Sequence, residues 1–295
     1  MLSRLNHVGL SLTKNKLQLV EVVNESSKYC LENVDEHIFE EEFDFNSDES
    51  KIISILQTSL NSLTERNLFK SKNISITLPI NVFTLFEIPY ESSLSELALE
   101  EHIRWEYSIL APTLNAAEQI ISSHKLTSEG SQSRILVISV SRLLVESIFK
   151  FATQNNLNLK FIDISHFASD ASINLYEKKV LSIYVDDSIF SLSTYLDKKL
   201  KTIRTFERKT NFDFLNSIES FVDEENITYD NILIAGSIEV DELKIELEAK
   251  LKMSAEMFNP FENIPTSDAF IQNAYFMNRP NSFSAAAGIS FRKFK

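Results

Sequence analysis

Apolar and polar residues alternate along the start of the chain, and the period changes after about position 45. Residues 7–13 ("HVGLSLT"), 16–24 and 35–45 follow a period of two, which predicts three strands. Ile52, Ile53, Leu56, Leu60 and Leu63 then recur at helical spacing, with Asp48 or Ser50 placed to cap a helix running to about Asn67. "NISITLP" (73–79) is a fourth strand. This β-β-β-α-β order returns from Val180. "VLSIYVDD", "IFSLSTYLD" and "KLKTIRTFE" predict three strands, residues Phe212 to about Asn226 a helix, and "NILIAGS" another strand. The two halves repeat an order of elements, not residues.

A different pattern lies between them. "FTLFEIPY" is a strand, and Ser92 or Ser93 caps a helix through about Leu110, with Glu96 spaced for a capping box on Ser93. "EQIISSHKL" and "RILVISVS" are strands joined by a turn at "TSEGSQS", and 142–155 is a helix. Residues 82–156 therefore read as a β-α-β-β-α unit inserted in the first half. "LKFIDIS" (159–165) and a helix from His166 to about Tyr176 complete that half. The division expected is 1–81 plus 157–178 for the first lobe, 82–156 for the insertion and 179–295 for the second lobe. The 93–110 helix has two apolar faces. Leu94, Leu97, Ala98, Trp105 and Ile109 fall on one side, and Leu99, Ile103, Tyr107 and Leu110 on the other. One face covers the unit's own sheet. The other needs a second surface, in this chain (the simpler expectation) or another.

Composition narrows the chemistry. The net charge of −13 argues against a nucleic-acid partner, which needs basic patches. Cys30 is the only cysteine, so neither a disulfide framework nor a cysteine-rich metal site is expected. The five histidines are scattered, with no metal-binding spacing among them. No window approaches the ~20 apolar residues of a membrane span, and no leader is evident at the start. A cytoplasmic protein is expected, reaching the inner membrane only through a partner and without inserting directly. Glycine is scarce: four residues in 295, against about 7% in ordinary chains.

Several stretches carry a resemblance. "LALEEHIRWEYSILAP" (97–112) is similar to the helix that the PilM-like family writes around I-R-W-E. "LKFIDISHFASDASINLY", "FNPFENI" (258–264) and "SAAAGISFR" (284–292) resemble that family's later elements. With the duplicated lobes and the insertion, the chain resembles the PilM and FtsA branch of the actin-like ATPase superfamily. The fold class implied is α/β, an actin-like (ribonuclease H-like) two-lobed fold with an inserted subdomain in the first lobe.

The resemblance also shows where this chain departs. The family's first phosphate loop, G-I-D-I-G-S-S, falls on Gly9 to Asn15, placing its aspartate on Ser11 and its second glycine on Thr13. The second loop's D-I-G falls on Tyr184, Val185 and Asp186, and the adenosine-side G-G-G on Gly236, Ser237 and Ile238. Thr13 is β-branched and tolerates positive φ poorly. Asp186 can keep a left-handed turn but sets a carboxylate where phosphates belong. Ser11 and Tyr184 lack the carboxylates that hold Mg²⁺ and orient water. Ile238 puts a branched side chain where adenosine would lie against bare backbone. Asp186 and Asp187 are a poor metal pair, because neighbours in a strand point to opposite faces.

No catalytic residue, metal or cofactor is therefore expected. The leading reading is a pseudo-ATPase scaffold. The resemblance implies that it binds the cytoplasmic tail of a PilN-like single-span inner-membrane protein in a bacterial type IV pilus-like or secretion machine, with self-association possible in such proteins. An extended tail would add to a strand edge beside the insertion, with Arg104 and Trp105 as candidate contacts. For each a structural role competes, a core anchor for Trp105 and a surface ion pair for Arg104. The alternatives are an active ATPase of the same machinery, using ATP and Mg²⁺, and an FtsA-like filament protein. The last is disfavoured because "GISFRKFK" (288–295) is short for an amphipathic membrane helix.

Overall fold

The computed structural model describes residues 5–25, 28–127, 133–171, 179–236, 241–266, 276 and 278–292. The first lobe is built on strands β1 (Leu5–Leu12), β2 (Lys16–Glu25), β3 (Lys28–Ile38), β4 (Asn73–Leu78) and β8 (Asn158–Ile164), in the order β3-β2-β1-β4-β8. The β1–β2–β3 meander is antiparallel, and β1, β4 and β8 run parallel. Helix α1 (Glu49–Arg66) starts where the Asp48 carboxylate accepts the Lys51 N–H at 2.9 Å. It buries Ile52, Leu56, Leu60 and Leu63 against Val8, Leu10, Ile74 and Ile76 of the sheet. Helix α3 (Arg142–Gln154) brings Leu144, Ile148 and Phe151 into the same core.

The second lobe repeats the plan. Strands β9 (Lys179–Val185), β10 (Ile189–Leu196), β11 (Lys199–Glu207), β12 (Asn231–Gly236) and β13 (Ala255–Met257) lie in the order β11-β10-β9-β12-β13. Helices α5 (Asn211–Glu225) and α6 (Asp241–Leu251) cover one face, burying Phe214, Ile218, Phe221, Leu243 and Leu247 against Leu181, Ile183, Phe190 and Ile232. The inserted unit has its own antiparallel sheet, β5 (Thr84–Tyr90), β7 (Ser133–Ser141) and β6 (Gln119–Lys125), with β7 in the centre. Helix α2 (Glu96–Leu110) seats Ile103 and Tyr107 on one face of it. The opposite face meets Leu200 and Ile203 of β11. Across that seam Glu87 accepts Thr202 Oγ1 at 2.6 Å, and within the inserted sheet it accepts Arg134 of β7 at 2.8 Å.

Two helices join the lobes. Helix α4 (Ser165–Ala171) and the buried C-terminal helix α7 (Ser284–Phe291) cross so closely that a Cβ on Gly288 would lie 1.7 Å from the Ala168 carbonyl oxygen. A Cβ on Gly9 would lie 2.0 Å from the carbonyl oxygen of Ala286. Glycine is thus kept where two backbones touch. Where only a left-handed residue is needed, other types serve: Asp197 and Lys198 turn the β10–β11 hairpin at φ 48° and 68°, Asn226 ends α5 at 51°, and Lys252 follows α6 at 53°.

Several sequence expectations need correction. The third strand runs Lys28–Ile38, not 35–45; Phe39 and Phe43 instead donate their N–H groups to the Asn15 and Lys14 carbonyls, folding 39–45 over the core. Ser95, not Ser92 or Ser93, caps α2, accepting the Ala98 N–H at 3.3 Å, so Glu96 opens the helix and forms no capping box. The fourth helix is described to Ala171, and the rest of its expected span lies outside the described residues, as does the turn at Gly130. Helix α6 has too weak an apolar period to have been predicted, with Ile245 exposed and Leu243 and Leu247 buried.

Candidate functional site

The cleft between the lobes is bounded by two turns, β1–β2 and β9–β10. In the first, Thr13 closes the turn on itself. Its N–H donates to the Lys16 carbonyl at 2.9 Å, and its Oγ1 accepts the N–H groups of Asn15 at 3.3 Å and Lys16 at 3.2 Å. In the second, the Asp186 N–H donates to the Ile189 carbonyl at 2.8 Å and the Asp187 N–H to Asp186 Oδ1 at 3.0 Å. Backbone donors that a phosphate loop offers outward are here engaged within the turns. Neither Thr13 nor Asp186 has positive φ, so Asp186 does not keep the left-handed turn expected of it. The turns also meet: the Asn15 side-chain amide donates to the Asp187 carboxylate across the cleft.

Behind the turns, Ser11 is buried on β1, paired with Gln18 of β2 and Thr77 of β4, and its hydroxyl has no partner among the described residues. Tyr184 is buried on β9 with its ring 5.6 Å from the His166 ring, nearly parallel. Burial, with the Asp186 charge beside it, pushes the Tyr184 hydroxyl well above its ordinary range. Gly236 ends β12 against Val185, where a Cβ would lie 2.0 Å from the Val185 carbonyl oxygen. Ile238 lies outside the described residues. Ser11, Thr13, Tyr184, Asp186 and Gly236 thus stand at the ends of β1, β9 and β12, around one cleft. Asp186 brings a carboxylate to this cleft, where it would repel phosphates, and positions 11 and 184 supply none to hold Mg²⁺.

Beneath Tyr184 lies a network that the sequence did not disclose. The Ser182, Ser193 and Tyr195 hydroxyls donate to Asp170 at 2.5, 3.0 and 2.7 Å. Both serines therefore accept from His166 Nε2, at 3.1 Å each, which leaves Nδ1 to accept the Ser191 hydroxyl at 2.7 Å. Burial lowers the His166 pKa, and the neutral ring suits this pattern. His166, Asp170 and the three serines are buried, and Tyr195 is half-buried. They join α4 of the first lobe to the serine-lined face of the second lobe's sheet.

The second site is a groove of about 800 Å³ between α2, the outer edge of β6 and the start of α3. Ile103, Arg104, Ala117, Gln119, Ile121 and Arg142 line it. Strand β6 is the end of its sheet order, so one side pairs with no other strand among the described residues. Arg142 donates to the Ala117 and Gln119 carbonyls at 3.0 and 3.2 Å, fixing the rim. Arg104 is exposed and pairs with no carboxylate among the described residues, which corrects the surface ion-pair reading. Trp105 is no core anchor: it is 59% exposed, on the outer side of α2, stacked on His102. The structure brings Arg104 to the groove and leaves Trp105 beside it. Arg142 and the β6 edge were missed, since neither carries a residue pattern of its own.

Two lobes of like topology around a cleft, with a small unit inserted in the first, define the actin-like ATPase fold. Over 97% of this chain and 98% of the other, the chain is similar to one of the solved PilM–PilN type IV pilus biogenesis complex, with a TM-score of 0.78 and 15% identity. It is also similar to a Bacteroides thetaiotaomicron protein with an actin-like ATPase fold and unknown function, with a TM-score of 0.55, 13% identity and 98% and 96% of the two chains covered. The ethanolamine utilization protein EutJ of Carboxydothermus hydrogenoformans gives a TM-score of 0.52 at 9% identity, over 97% and 89%. No family model and no curated protein matches the sequence.

Proposed function

We propose that this protein is a non-catalytic, PilM-like adaptor that binds the cytoplasmic tail of a PilN-like single-span inner-membrane protein in a pilus or secretion machine. The observation that carries this reading is the groove beside the open edge of β6. An extended tail adds to that edge through its backbone and sets alternate side chains into the groove. The similarity to a chain of the PilM–PilN complex supports the partner class. The engaged turns and the Asn15–Asp187 contact support a pseudo-ATPase, with neither ATP nor Mg²⁺ as cofactor. Among the described residues no helix is long and apolar enough to cross a membrane, in keeping with attachment through a partner. The proposed division is the first lobe, an inserted unit at 82–156 and the second lobe, with α3 packed on the first lobe's core.

Calorimetry with the cytoplasmic tail peptide of the organism's own PilN-like protein tests the reading. Saturable binding is expected, weakened at least about tenfold, or 1.4 kcal/mol, by Arg104→Glu or by Ala117→Phe, which plugs the groove. Unchanged affinity in both variants would overturn the assignment of the groove.

A further inference from the structure

The outer face of α2 is open. Leu97, Trp105 and Ile109 are 69%, 59% and 52% exposed on one side of the helix, over about three turns. The opposite side, with Ile103 and Tyr107, is buried in the inserted unit. An apolar stripe of this size on water marks an interaction surface. Glu101 lies within the stripe and pairs with no basic group among the described residues, and Glu106 at its margin has only His102 nearby, at 3.9 Å, while Glu100 lines the tail groove. Arg104, at the margin toward the groove, is the only arginine or lysine of the helix.

We infer that this face docks a basic amphipathic helix of another protein, at a site separate from the tail groove. The stripe supplies apolar anchors at helical spacing, and the glutamates supply charge for lysines or arginines flanking the partner's own stripe. A second copy of this chain is the poorer occupant. At −13 net charge, face-to-face pairing would set these glutamates against themselves. An anionic membrane meets the same repulsion.

Trp105 is the only tryptophan of the chain and sits in the stripe, so its emission reports docking directly. The probe is a synthetic helical peptide of leucine and lysine with one apolar face, added to the full-length protein. Emission is expected to move to shorter wavelength and saturate. The binding weakens as salt is raised, and a leucine–glutamate peptide of the same pattern does not bind. Leu97→Asp with Ile109→Asp weakens binding at least about tenfold, while the melting temperature holds because both positions are exposed. The groove plug Ala117→Phe leaves it unchanged, so failure here is distinguishable from failure of the tail site. Four results would overturn the inference. These are equal binding of the glutamate peptide, undiminished binding by the double variant, a dimer in sedimentation that the double variant dissolves, and a larger emission shift on phosphatidylcholine vesicles than on the peptide.

Discussion

His7 is buried on β1 with Nε2 2.8 Å from Ser75 Oγ, and burial, aided by the Lys160 charge, lowers its pKa from 6.5 to about 4. Between those values the unfolded chain takes up a proton that the folded ring refuses. Stability is therefore whole above pH 6.5 and falls as the pH drops toward 4, by about 3 kcal/mol in all from this group. Urea unfolding at pH 7 and pH 5 should show the loss, and His7→Gln should flatten it. Glycine gives a second prediction at this scale. Lys252 holds a left-handed conformation that costs an L-residue about 1 kcal/mol, so Lys252→Gly should raise stability by up to that amount. Gly288→Ala sets a methyl group 1.7 Å from a carbonyl oxygen, and should cost about 3 kcal/mol or more. Thermal melts of the two variants should move in opposite directions.

Among the elements, those with a clear period and a cap were legible. Helix α1 carries both, with its apolar positions and Asp48, and the meander strands other than β3 fall close to the spans their sequence indicates. Where the signal failed, a long-range partner decided the structure. Phe43 and Phe45 look like a strand, yet the two rings pack edge to face at 4.9 Å on a loop held to the β1–β2 turn. Ser11, Thr13, Tyr184 and Asp186 were singled out by the resemblance alone, with no periodicity or spacing to mark them. The Asn15–Asp187 contact was not, because no local pattern links positions 172 apart. Trp105 misled because hydrophobicity does not say which of two apolar faces finds cover. Helix α3 tests element membership. Phe151 is wholly buried in the first lobe's core, so Phe151→Ala should cost about 3–5 kcal/mol, read as a shift of the main unfolding transition.

For the whole molecule, the proposal that the cleft takes no nucleotide rests on two causes, engaged turns and missing carboxylates. The two causes separate experimentally. Asp187→Ala removes the cross-cleft hydrogen bond and should lower stability by about 1 kcal/mol, yet calorimetry with ATP and Mg²⁺ should still give no saturable heat. Thr13→Gly with Asp186→Gly frees both turns, but Ser11 and Tyr184 still supply no carboxylate. A phosphate-release assay on that variant should stay at background, and turnover would show that bulk alone had closed the site.

Helix α7 fastens the halves at their base, and Asn15 with Asp187 fastens them at the rim. A body tied at both ends of its dividing line must break two separate contacts before its halves can part.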